Sequence, residues 1–346
     1  MTVTTPHPAA TDEAPKSSGT RLVDRVFKMR ELAILVVFLV MIALTQAGNS
    51  EFLSEQGIKD LLLNATILVL VATGQSLVVI TRNVDLSVGS TLGISAFAAG
   101  IYLQGGGNPV IAIVLAVLLG IGFGLLNGLL VSLGQVPALV VTLGTLYIIR
   151  GIDSIWVGSR QITAADLPNG FVKFGSGGLS AVPWLALIAL VVLVGTAYYL
   201  KQFGSGRELY ALGSNPEAAR LAGIPVRKRI LVAYTFCGAL AGLAGALYLA
   251  RFGNVDSGTG NGYELTVVSA VVVGGVVFTG GSGSVYGAAL GALLLTSINS
   301  VLPALGVSSV WVLAINGVLL ILAIAVDRIV ALRVANSLKK RNARHA

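Results

Sequence analysis

An all-helical protein that crosses a membrane about ten times is the fold class the sequence predicts, and three observations predict it. Hydrophobic residues make up 55% of the 346-residue chain and charged residues only 11%, against about 25% charged in soluble domains. The mean hydropathy is +0.87, and apolar runs long enough to cross a bilayer recur along nearly the whole chain. The third observation is where the charge sits. Seventeen of the 23 Lys and Arg residues fall in three segments, before position 31, between 201 and 229, and after 327. Basic residues collect at the cytoplasmic flanks of membrane spans. The net charge of +8 therefore reports orientation and calls for no nucleic-acid partner.

Residues 1–30 read as a disordered cytoplasmic tail, the first 20 being rich in Thr, Pro, Ala and Ser. The first apolar run, Leu32 to Ala47, has a long polar leader and is followed by more spans. It is expected as an uncleaved helix, not a signal peptide. Ten spans are placed at about 31–48, 58–80, 86–104, 109–133, 138–157, 182–201, 230–250, 265–279, 285–303 and 310–327. With the N-terminus inside, six crossings return the chain to the cytoplasm at the basic loop 202–229. Four more bring the basic tail 328–346 inside as well. An odd number of spans in either half would put six basic residues on the wrong side. The membrane-spanning body is thus 31–327, with regions 86–133 and 265–303 suited to broken helices. Of the outer connections, 158–181 is the longest. Its Gly170, Gly175, Gly177 and Gly178 suit either a flexible loop or a surface for an outside partner.

The 43 glycines suit close helix packing. Gly120, Gly124 and Gly128 form one small-residue ladder, and Gly283, Gly287 and Gly291 another. "TRNVDLSVGSTLG" and "TGGSGSVYGAALG" share Thr81, Gly89, Gly93 and Thr279, Gly287, Gly291 at equal spacings. That pattern suits an internal repeat or a coincidence in a glycine-rich chain. Cys237, in an apolar run, reads as a core residue. There is no G-x-x-x-x-G-K-[ST], so the chain does not cradle ATP phosphates by itself. The only histidines, His7 and His345, lie in the tails, which excludes a His-based hydrolase or zinc site within the membrane. "GGSGSVYG" lacks the strand-before, helix-after setting of a dinucleotide loop. No cofactor is expected on this chain.

Within the basic loop, "GSNPEAARLAGIP" specifies a short helix at both ends. Asn215 is a good N-cap and Pro216 fits the first helical position. Glu217 puts negative charge at the helix's positive end. Gly223 supplies a left-handed C-terminal residue, and Pro225 stops the helix from resuming. Two turns remain, 216–222, including Ala219 and Arg220, with Ala218, Leu221 and Ala222 sharing a face. A helix this short is marginal alone in water, so it needs something to dock against.

"ITRNVDLSVGS" places Arg82, Asn83 and Asp85 between apolar spans. Asp85 or Ser87 can cap a helix starting at Leu86, with Arg82 at the cytoplasmic interface. Polar groups at such an edge also face the bundle interior or an aqueous path, and the two roles are compatible. Asn64, Gln75, Asn127, Thr142, Arg150, Glu264, Asn299 and Asn316 lie in or beside spans. They read mainly as interhelical hydrogen-bond partners, each contributing about 0.6–2 kcal/mol. Glu264, in "GYELT", either caps its helix or meets a solute. Asn64, Gln75, Arg82, Asn83, Asp85, Ser87 and Glu264 are the candidate path residues.

"GRELYALGSNPEAARLAGIPV", "ITRNVDLSVGS" and "GYELTVVSAVVVGGVVFTGGSGSVYGAALGA" resemble the signatures of permease subunits of carbohydrate-importing ABC transporters, the ribose/xylose/arabinose class. They stand in family order, and the likeness spans about residues 50–327. With Arg82 and Asn83 where glycines often precede the Ile-Asp pair, the second stretch is nearer the rhamnose and autoinducer-2 members. The resemblance implies a bacterial cytoplasmic-membrane subunit with both termini inside, working by alternating access. It implies that residues 215–223 are a coupling helix seated in a separate ATPase subunit, which holds ATP and Mg. It also implies an extracytoplasmic solute-binding protein and a second permease copy or a related one. Branched-chain amino-acid permeases, distant relatives, are one alternative. An ion-coupled secondary transporter using Asp85 is another. A purely structural scaffold fits poorly with so fully specified a cytoplasmic helix.

Overall fold

The computed structural model describes residues 18–304 and scattered positions between 308 and 325. Residues 1–17, most of the tenth expected span with Asn316, and the tail 328–346 lie outside the described residues. α1 (Ser18–Gly48) begins inside the segment read as a disordered tail. Leu22, Val23, Val26 and Phe27 recur at helical spacing there, which continues the apolar stripe back from Leu32.

α2 (Glu55–Ile80) is the innermost helix, and every residue from Ala65 to Ile80 is buried. Its sequence is apolar on all sides, as a helix surrounded by others requires. α3 (Val88–Gln104) and α4 (Pro109–Ser132) follow, then α5 (Ala138–Val157). The connection 158–181 is ordered and not a flexible loop. It contains a 3-10 turn, α6 (Asn169–Ser176) and the two-residue strand β1 (Gly178–Leu179), which pairs antiparallel with β2 (Val182–Pro183). Phe171 is buried there, Gly175 packs flush on the Ala250 carbonyl, and Ile162 bridges to Val255. Gly175, Gly177 and Gly178 serve close approach here, whereas Gly170 stands in open space.

α7 (Trp184–Gln202) leads into two short helices, α8 (Gly204–Ser214) and α9 (Pro216–Leu221). α10 (Val226–Phe252) is central and packs on α4, α3 and α2. α11 (Tyr263–Val273) is short, and α12 (Val285–Ala304) packs on α2 and α11. Six of these helices are long and apolar enough to span a membrane, and α3, α11 and Ile34–Gly48 of α1 are shorter apolar helices. Their positions account for the first nine expected spans, and within the regions suited to broken helices α3 and α11 are short but continuous.

The first glycine ladder does what its spacing suggests. A Cβ on Gly120 would overlap the Gly238 carbonyl, and one on Gly124 the Tyr234 carbonyl, while Gly242 lies against Ala116. These backbones touch because no side chain separates them. The second ladder is only partly helical. Gly287 and Gly291 hold α12 against Ala270 of α11 and the Gly274 that follows it, but Gly283, with φ +131°, lies in the turn before α12. The outer faces of α4, α5 and α7 carry exposed Val110, Tyr147, Ile155 and Val191, which lipid or a neighbouring subunit would cover.

Candidate functional site

After Ile80 the chain folds back into the bundle before α3 begins. Four helices grip this returning loop. Gln75 of α2, with its amide turned to suit both neighbours, donates to the Asp85 carbonyl (3.2 Å) and accepts from the Asp85 N–H (3.1 Å). Thr142 of α5 and Tyr234 of α10 both donate to the Val84 carbonyl, at 3.3 and 3.0 Å. Asn127 of α4 donates to Ser87 Oγ (2.8 Å) and to Asp85 Oδ1 (3.3 Å). Asp85 is 1% exposed, and its Oδ1 also accepts from Ser87 N–H and Ser87 Oγ. Buried backbone groups need such partners because lipid offers none.

The expected cap is therefore corrected. The helix starts at Val88, not Leu86, and Ser87 is its N-cap without a side-chain capping bond. Asp85 instead closes a turn onto Ser87. A carboxylate two residues ahead reaches the nearest free N–H first, as Asp does in turns.

Arg82 leaves this loop toward the other elements at the same end. It sits in the left-handed region, with φ +65°, a conformation rare for a bulky residue. Its guanidinium donates to the Gly213 and Ser214 carbonyls at the end of α8. Gly281 N–H donates to the Ile80 carbonyl at 2.9 Å, and Tyr210 Oη donates to the Gly283 carbonyl at 3.1 Å. Burial pushes the Tyr210 phenol up to about 12, so it stays a donor at any physiological pH. A Cβ on Gly213 would overlap Ile80 O and Gly281 N. The chain thus brings its three quoted stretches to one point: 80–82, 210–214 and 280–283.

α9 hangs from that point. Asn215 Oδ1 accepts from the N–H groups of Glu217 and Ala218, each at 3.1 Å. Gly223 has φ +79°, and Ile224 N–H returns to the Ala219 carbonyl at 3.0 Å, closing the helix as the sequence specifies. Helical geometry ends at Leu221, with Ala222 as C-cap. Ala219 is the residue that faces inward, at 4% exposure, whereas Leu221 is 81% exposed. Pro216, Ala218 and Ala222 are exposed with it. Glu217 and Arg220 form an exposed ion pair at 2.6 Å, of small energetic weight.

Asn83 donates to the Thr81 carbonyl and hydroxyl. It lines a cleft of about 770 Å³ between the α4–α5 and α9–α10 turns, with Gln135, Arg220, Arg227 and Lys228. Glu264 lies elsewhere, in the first turn of α11 beside Gly89 of α3. Asn64 stands apart, half-buried on α2. Asp153 and the Arg150 beside it, 3.9 Å apart on α5, are not among the candidate path residues. The available signal was an ionisable pair in an otherwise apolar span.

Residues 57–324 match the family described as branched-chain amino acid transport system, permease component. The chain belongs to that family of ABC-transporter permeases. This permease is 36% identical over 320 residues to the autoinducer 2 import system permease protein LsrC of Escherichia coli O157:H7, covering 92% of each chain. It is 36% identical over 301 residues to the protein of that name from Salmonella paratyphi B, covering 86% of each. The one from Enterobacter sp. strain 638 is 35% identical over 302 residues, 87% of this chain and 88% of that one. No solved structure matches. The permease is a transport subunit and not itself an enzyme.

Proposed function

We propose that this permease carries a hydroxylated, sugar-like solute of the autoinducer-2 class across the bacterial cytoplasmic membrane, driven by a separate ATPase. The observation that carries the reading is α9, capped at both ends yet presenting Leu221 to solvent. An exposed apolar anchor on a rigidly terminated helix fits the groove of a cytoplasmic partner. The seventeen clustered cations support a cytoplasmic position for α9 and both termini.

Force applied to α9 has a short route inward. Asn215 joins it to α8, whose last carbonyls are held by Arg82. Arg82 opens the loop that Gln75, Asn127, Thr142 and Tyr234 hold in the bundle centre. Movement of α8 therefore shifts the start of α3 and, through Gly281, the turn that leads into α12. Alternating access follows as tilting of these short helices about α10, at an interface with a second permease copy or a related one. ATP and Mg belong to the ATPase, and an extracytoplasmic binding protein delivers the solute.

Reconstitution with its ATPase and binding protein should give ATP-dependent uptake of labelled autoinducer 2. Uptake by the permease alone, driven by an ion gradient, would refute this. The family description favours one second reading, a branched-chain amino acid as solute. Competition by leucine but not by autoinducer 2 would establish it.

A further inference from the structure

α3 and α11 are both too short to count among the spanning helices, and a polar cluster lies where the segment before α11 meets the side of α3. Glycine lets the backbones touch. A Cβ on Gly89 would overlap the Gly260 carbonyl and Glu264 Oε2. A Cβ on Gly93 would overlap the Thr259 carbonyl and lie 3.4 Å from Arg150 Nη1. Gly89 and Gly93 are one turn apart, about 6 Å along the helix. The Glu264 carboxylate and the Arg150 guanidinium therefore flank one face of α3.

Arg150 Nη1 donates to the Thr259 carbonyl at 2.8 Å and stands 3.9 Å from Asp153 Oδ2. The Asp153 side chain is 0% exposed. Among the described residues, neither of its carboxylate oxygens accepts a hydrogen bond, and Glu264 Oε2, also buried, accepts none. Buried charge held so loosely is costly, and an ionisable group inside a membrane bundle marks a solute path.

We propose that Arg150, Asp153 and Glu264 recognise the hydroxyl groups of the solute as it crosses between the two short helices. The inference rests on the reading of the permease as a carrier of a hydroxylated solute. Ionised carboxylates only accept hydrogen bonds, so the missing partner must bring donors. The free N–H groups of Arg150 can donate to the solute's oxygens in return. Neutral hydroxyls supply both, and bind weakly enough to be released. A metal cation fits less well, since no group of three acidic, His or Cys side chains converges among the described residues. α5 packs chiefly on α3 and α4 and carries the exposed Ile155 on its outer side. Its displacement uncovers Asp153.

The test is the complete transporter in vesicles, with Asp153→Asn and Glu264→Gln beside wild type. The probes are autoinducer 2, D-ribose and 2-deoxy-D-ribose, each delivered by the binding protein. Each variant should lower kcat for uptake about tenfold, the loss of one hydrogen bond to a charged group. KM for the loaded binding protein and ATPase co-purification should stay at wild-type values, and the preference for ribose over its deoxy analogue should shrink. Unchanged kcat and preference would overturn the proposal. So would losses that merely track a lowered melting temperature, or uptake that follows a sodium gradient. Glu264→Gln, at a partly exposed position, reads the same outcome should Asp153→Asn fail to assemble. A wild type that takes up leucine and none of the hydroxylated probes would sink the parent reading as well. A wild type that takes up the probes, beside indifferent variants, would sink this inference alone.

Discussion

α8 and α9 are joined through a single residue, Asn215, yet the bundle treats them differently. α8 buries Leu209 and Leu212, presses Gly213 against Ile80 and Gly281, and is held by Arg82, Tyr210 and the Glu208–Arg229 ion pair. α9 has better capping than α8 but buries only Ala219. The difference teaches that local signals make a helix while tertiary contacts decide what it belongs to. α8 is part of the body, and α9 is completed by something outside it.

Substitutions can break or sharpen that contrast. Gly213→Val should have the largest effect. Its side chain meets backbone on two sides, so about 3 kcal/mol of stability is lost, the upper end of ordinary overpacking costs. A melting temperature within a degree of wild type would show that α8 is not rigidly seated. Arg82→Gln removes two bonds to the α8 carbonyls and should cost about 2 kcal/mol. Solute-stimulated ATP hydrolysis should then persist while uptake falls, and tight coupling in this variant would remove Arg82 from the route.

Leu221→Ala should leave the melting temperature of the isolated permease unchanged, because the side chain is already in solvent. Association with the ATPase should weaken by about 2 kcal/mol, from roughly three lost methyl or methylene groups. Equal ATPase retention on co-purification would mean that another surface carries the docking. Asn215→Ala should have the smallest effect, about 1 kcal/mol from the lost cap, confined to α9. Amide exchange should show faster opening at Glu217 and Ala218 with α8 unaffected, and Asn215→Asp should restore protection.

Much of the helix inventory was legible in the sequence, because apolar length and basic flanks are local properties. The α9 ends at Asn215 and Gly223 were legible for the same reason, since caps act within one turn. Its inward residue was not. Ala218, Leu221 and Ala222 make a sensible apolar stripe, but the body takes up Ala219, and the stripe remains for a partner. The path candidates divided likewise. Asp85, Ser87 and Gln75 were recognisable as polar groups in apolar surroundings, yet only the fold shows that they meet Asn127 and Tyr234 around one buried loop.

By itself, the sequence determined that the chain is helical and membrane-embedded, that Gly120 and Gly124 would let helices touch, and where a short basic-loop helix starts and stops. Each follows from hydropathy, residue size or hydrogen bonding within a few positions. The tertiary structure alone decided that α3 starts two residues late, that 158–181 is an ordered cover, and that Arg82 reaches α8. It also set Arg150 on the Thr259 carbonyl and Glu264 against Gly89. Those outcomes depend on which distant backbone arrives to satisfy a buried group, and spacing along one chain segment carries no information about that.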